Sequence, residues 1–183
     1  MEYNNLLVIM TTIFSLIILF TDIAVFKKKK YNFLIENIIT YTFYLIFLIV
    51  QYKLKFHVMA FIILLVLITI IGNNLIGNCL NVYNCSKHYD RYLHAFGSFS
   101  FSLFFYSILD KIIVPTIYST FYVSIFVATI GISLGCIYEI YEFILDSTTN
   151  SFNQHGLKDT NFDLISDVIG SLIAGIVSML IFL

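Results

Sequence analysis

Long apolar runs separated by short polar breaks dominate the chain. They lie at 5–26, 33–52, 56–78, 92–114, 118–143 and 161–183, each close to the ~20 residues an α-helix needs to cross ~30 Å of hydrocarbon. The pattern predicts an all-α polytopic membrane protein, a compact bundle of about six transmembrane helices occupying 1–183 as a single domain. The first run has no positive flank before it and carries Lys27, Lys28, Lys29 and Lys30 behind it, so it reads as a retained helix rather than a signal peptide. The tight turn at 53–55 is the weakest boundary.

Composition strengthens this class assignment. With 60% apolar and only 11% charged residues, and a mean hydropathy of +0.92, a soluble domain would lack the polar groups to cover its surface. The lysine run places the first loop on the cytoplasmic side, and six spans then put both termini outside. In that orientation Lys27, Lys28, Lys29, Lys30, Lys87, Arg91 and Lys158 face inward, against Lys53, Lys55 and Lys111 outward, a bias of 7 to 3. The expected location is a bacterial plasma membrane. Membrane lipid is the expected partner and nucleic acid is not. Three cysteines on or near the reducing side argue against a structural disulfide.

Acidic and histidine residues break the apolar pattern at the ends of three runs: HYDRYLH at 88–94, EIYEFILD at 139–146 and DTNFDLISD at 159–167. A charge in hydrocarbon costs several kcal/mol unless it is paired, hydrated or bound to an ion, so such groups are functional candidates. The expected topology brings all three segments to one membrane face, with Asp22, Glu36, Asn37, Asn73, Asn74 and Asn78 on that same side. Helical phase adds detail. Asp90 and His94 stack at i,i+4 with Gly97 beyond; Gly131, Gly135 and Glu139 form one row continued by Glu142 and Asp146; Asp159, Asp163 and Asp167 stack toward Gly170 and Ala174. The small residues permit close helix approach, which would draw the acidic turns together.

Seven acids in these segments face only Arg91 within them and Lys87 and Lys158 just before them. Crowded carboxylates at low dielectric keep protons or recruit a cation. His94, Glu139, Glu142, Asp163 and Asp167 are the candidate metal ligands, and His94, Arg91 and Asp90 the candidate catalytic residues. Oxygen ligation favours Mg²⁺, Mn²⁺ or Ca²⁺, while adding His94 admits Zn²⁺ or Fe²⁺; Mg²⁺, Mn²⁺ or Zn²⁺ is the expected cofactor, its identity left open. Structural readings stand beside these: an interhelical hydrogen bond for His94, a helix cap for Asp159, solvation for Asp146, and pairing with Asp90 for Arg91. The Cys79, Cys85, His88 string is too widely spaced for a typical metal motif, and His57 and His155 read as surface residues.

The segments YDRYLHAFGS at 89–98, GCIYEIYEFILD at 135–146 and QHGLKDTNFDLISDVIGSLIAG at 154–175 closely resemble the YjdF-like membrane-spanning proteins of the DUF2238 family. More distantly, Asp90, Arg91, His94, Asp163 and Gly170 resemble the pattern of VanZ-like proteins, a family associated with glycopeptide tolerance. The resemblance covers about the C-terminal half, with the motif-bearing part at 88–175, and implies a fold and site residues more than a reaction. Two functional classes with chemistry follow. One is a metal-dependent hydrolase or transferase acting on a lipid-linked phosphate or related ester at the membrane surface, with Arg91 steadying the anionic headgroup. The other is a divalent-metal or proton-coupled transporter, disfavoured by the absence of repeated halves and by a sole proline, Pro115, at the opposite end. A noncatalytic interaction or immunity protein is the third reading. The small-residue faces also permit a homodimer.

Overall fold

A computed structural model describes residues 3–86, 88–113, 119–149 and 151–182. Lys87, Pro115 and the run ends at 114, 118 and 183 lie outside the described residues. The protein is all-α: among the described residues six helices are long and apolar enough to cross a membrane, and none of those residues is in a strand. In order they are α1 (Tyr3–Lys27), α2 (Tyr31–Leu54), α3 (Ala60–Ile71) continued by a π-helical segment (Gly72–Cys79), a single turn α4 (Val82–Cys85), α5 (Tyr89–Ile112), α6 (Thr120–Thr148) and α7 (Leu157–Ile181). The chain divides into two compact units, Met1–Tyr89 and Asp90–Leu183.

In the first unit Phe14, Ile18, Val25, Tyr44, Ile62, Ile63, Val66 and Leu67 are buried, while Leu16, Phe20, Phe43 and Ile49 stand outward. Apolar residues on both faces are what a helix needs when its outer solvent is lipid. Polar pairs then fix the register between α1 and α2: the Thr11 and Tyr44 hydroxyls meet at 2.7 Å, those of Ser15 and Tyr41 at 2.8 Å, and Asn37 donates to Asp22 at 2.9 Å. The third helix starts at Ala60 rather than 56. Lys55 ends α2 in the left-handed conformation at φ 55°, and the extended backbone after it is satisfied by side chains. Gln51 accepts from the Val58 amide at 3.0 Å, and Tyr3 donates to the Val58 carbonyl at 2.8 Å. Two of the lysines between α1 and α2 also hold the π segment. Lys28 donates to the Cys79 carbonyl at 2.6 Å and Lys30 to that of Asn78 at 3.3 Å, capping the end of the π segment.

The second unit is built on missing side chains. A methyl group added at Gly131 would strike the Ser102 and Ser171 side chains, at Gly135 the Asp167 side chain, and at Gly170 the Ala95 backbone. Helices α5, α6 and α7 therefore approach to a distance only small residues allow. Serines share that interior without leaving most hydroxyls unmatched: Ser100, Ser102 and Ser107 each donate to the carbonyl four residues earlier, at 2.7, 2.5 and 2.7 Å. Gly156, at φ 106°, begins α7 with a backbone that an L side chain would strain.

Candidate metal centre

The beginnings of α5 and α7 and the last turns of α6 meet at one end of the second unit, and their packing fixes the site. Gly135 lets the Asp167 side chain of α7 lie directly against the α6 backbone. One turn on, Glu139 points into the same space. Asp163, Asp167, Glu139 and His94 are only 3%, 2%, 5% and 8% exposed, so their polar atoms must find partners inside the protein.

His94 organises the cluster. Its Nδ1 lies 3.3 and 3.2 Å from the two Asp167 carboxylate oxygens, and Ser98 donates to the same carboxylate. The other ring nitrogen faces Asp90 Oδ1 at 3.7 Å and Glu139 Oε1 at 3.8 Å, too far for direct hydrogen bonds. Tyr138 packs edge-on against the imidazole at 5.6 Å, restricting its rotation. Asp90, His94 and Asp163 each offer a ligand atom, all within 4.8 Å of one another. Two carboxylate oxygens in this space, Glu139 Oε1 and Asp163 Oδ1, are buried without a hydrogen-bond partner.

Charge and donor type fit a divalent cation. Asp167 holds one side of His94, and among the described residues no lysine or arginine pairs with Asp90, Glu139 or Asp163. Arg91 is engaged elsewhere: its Nη2 pairs with Asp159 Oδ1 at 3.6 Å and its guanidinium lies 4.2 Å over the Phe162 ring. Unpartnered oxygens around an imidazole nitrogen form the mixed N/O donor set expected for a small divalent ion. A carboxylate holding the opposite ring nitrogen is the usual support for a ligating histidine.

Comparison with known families identifies the kind of chain that carries this site. The family described as "Predicted membrane protein (DUF2238)" matches residues 6–182. The chain belongs to DUF2238. That match takes in all three polar segments of the site. An uncharacterized protein from Thermotoga maritima is 36% identical over 104 residues, covering 54% of this chain and 51% of the relative. The chain thus spans about half the length of the curated relative it matches. No solved structure matches the DUF2238 chain.

The remaining site candidates fall at different distances from the centre. Glu142, one turn beyond Glu139 and half-buried, interacts electrostatically with Glu139, His94, Asp90 and Asp163. Asp159 is tied to Arg91 and, at 3.5 Å, to exposed His155. Asp146 organises the loop after α6: it accepts from Ser151 Oγ at 2.8 Å, from the Asn153 amide at 2.9 Å and from the Gln154 amide at 2.8 Å. Among the described residues Cys79, Cys85 and His88 form no ligand cluster. The cysteines are free thiols. Two participants lie outside the candidate set although both fall inside the segments that carry the family resemblance. Ser98, rather than Gly97, is the residue beyond His94 that reaches Asp167, in keeping with its i+4 position. Gln154 reaches Glu139 from the loop and lies outside every helical row.

Proposed function

We propose that this DUF2238 protein binds a divalent cation through His94, Asp90, Asp163 and Glu139, with Glu142 at the margin and Asp167 holding His94 in place. The observation that carries the reading is the meeting of the His94 ring with two buried, unpartnered carboxylate oxygens at one end of three membrane helices. Such oxygens cost several kcal/mol if left alone. Mn²⁺, Mg²⁺ and Zn²⁺ are the candidate ions.

The chemistry that suits this placement is hydrolysis or transfer at a lipid-linked phosphate or related ester. A divalent ion supplies Lewis acidity toward a phosphorus–oxygen bond and acidifies water. His94, held by Asp167 through one nitrogen, presents the other in a fixed direction. Asp90 is partly open to the outside of the cluster and is placed to accept a proton. Arg91 follows it in the chain, flattened on Phe162 with a buried Nε that no group satisfies, and a planar guanidinium is suited to an anionic headgroup. The likeness of Asp90, Arg91, His94, Asp163 and Gly170 to the VanZ-like pattern supports a site built on the same residues. The test is incubation of the purified protein with each ion and total membrane lipids. A product seen by mass spectrometry and absent from Asp163→Asn supports the enzyme; ion flux across proteoliposomes without a product replaces it with transport.

A further inference from the structure

We propose that Gln154 is the positioning residue that aims Glu139 at the cation, and that Asp146 acts on the site only by folding the loop that carries Gln154. The inference rests on the cation site proposed above. Glu139 has two carboxylate oxygens in different situations. Oε2 accepts from the Gln154 carboxamide at 3.1 Å, and the same Nε2 donates to the Glu139 carbonyl at 3.0 Å. Oε1 faces His94 and is buried without a hydrogen-bond partner. One amide thus grips the backbone and one oxygen of a single residue, and its grip leaves the second oxygen turned toward the cluster.

Gln154 itself is placed by Asp146. The Asp146 carboxylate, two turns beyond Glu139 on α6, accepts from the Gln154 amide at 2.8 Å, from the Asn153 amide at 2.9 Å and side chain at 3.0 Å, and from Ser151 at 2.8 Å. Among the described residues it joins no group of side chains close enough to share an ion. Its hydrogen-bonding capacity is spent on turning the loop back along α6, which carries the Gln154 side chain to Glu139. A ligand held by a neutral amide keeps its charge for the ion, and removing such outer partners typically costs 10–100-fold in metal affinity.

The experiment is a titration of the full-length protein in lipid nanodiscs with Mn²⁺ or Zn²⁺, alongside melting curves without metal. Gln154→Ala is expected to weaken binding by about 10–100-fold while the metal-free melting temperature stays near that of the wild type. Gln154→Glu keeps the length but sets a second carboxylate against Glu139, and should bind no better than the alanine variant. Asp146→Ala should match Gln154→Ala, and the double variant should lose no more than either alone, because both changes break one chain of contacts. Wild-type affinity in Gln154→Ala, or losses that add in the double variant, would overturn the proposal and leave the cation site standing. A fall in metal-free melting temperature with affinity unchanged would make Gln154 merely structural. Wild-type protein that binds neither ion overturns both the site and this role for Gln154.

Discussion

Carboxylates that face a histidine and have nothing else to bind determine what each substitution should do. Asp163→Asn and Glu139→Gln remove ligand charge from the unpartnered side of the site, so bound metal should vanish in elemental analysis. The metal-free proteins should melt at or above the wild-type temperature, because each change also relieves like-charge repulsion. Asp167→Asn tests a different function. Its oxygens are occupied by His94 and Ser98, so the variant should retain metal with affinity weakened about 10–100-fold, as for other outer supports of a ligating histidine. Equal, complete loss in Asp163→Asn and Asp167→Asn would place Asp167 among the ligands. Arg91→Lys should lower turnover while leaving metal content unchanged, since lysine keeps the charge but loses the planar fork. His94 and the acids were legible as residues because each breaks an apolar pattern. Gln154 was not, because a glutamine in a polar loop breaks no pattern and its partner, Glu139, is fifteen residues away.

Helix phase explains why so much of the site could be read at the level of elements. Gly131, Gly135 and Glu139 occupy one buried stripe of α6, and Asp163, Asp167, Gly170 and Ala174 one buried stripe of α7; spacings of three and four suffice to find both. Where the backbone leaves regular helix the rule loses its hold, as at the late start of α3, which Gln51 and Tyr3 enforce from elsewhere in the chain. The glycines can now be ranked. At Gly170 an added methyl meets the Ala95 backbone, whereas at Gly135 it meets the Asp167 side chain, whose carboxylate turns aside more readily than a backbone although its Cβ is also within 2.6 Å. Gly170→Ala should therefore cost stability, about 1–3 kcal/mol or more by overpacking. Gly135→Ala should instead show its main effect in metal affinity, by pushing Asp167 off His94. Thermal melts and Mn²⁺ titrations of the two variants distinguish these outcomes, and a larger melting loss in Gly135→Ala would contradict the ranking.

At the scale of the whole molecule, the face of the membrane that carries the site decides what can reach it. The basic bias predicts that the α5 start and the α6–α7 loop face the cytoplasm; Lys87, one of the seven charges in that count, lies outside the described residues. Single cysteines at Ser86 and Ser151, in a background lacking Cys79, Cys85 and Cys136, should both be protected from an impermeant thiol reagent added to intact cells and react after lysis. Labelling of both from outside would reverse the orientation, and labelling from opposite sides would break the convergence of the three polar segments on one face. Orientation in turn limits the chemistry, because a cytoplasmic site meets lipid phosphates of the inner leaflet. Metal should stabilise the folded protein by mass action, about 2.7 kcal/mol at a hundredfold excess over Kd, and Asp163→Asn should abolish that shift. If the stabilisation is present, the lipid-product assay and the proteoliposome flux assay divide the two active readings: an enzyme yields product without net ion movement, and a carrier moves the ion without product. Metal-dependent stabilisation with neither activity would make the cation a structural clamp for α5, α6 and α7. The glycine-tight packing of those helices predicts that such a clamp would change the melting temperature but not the backbone arrangement.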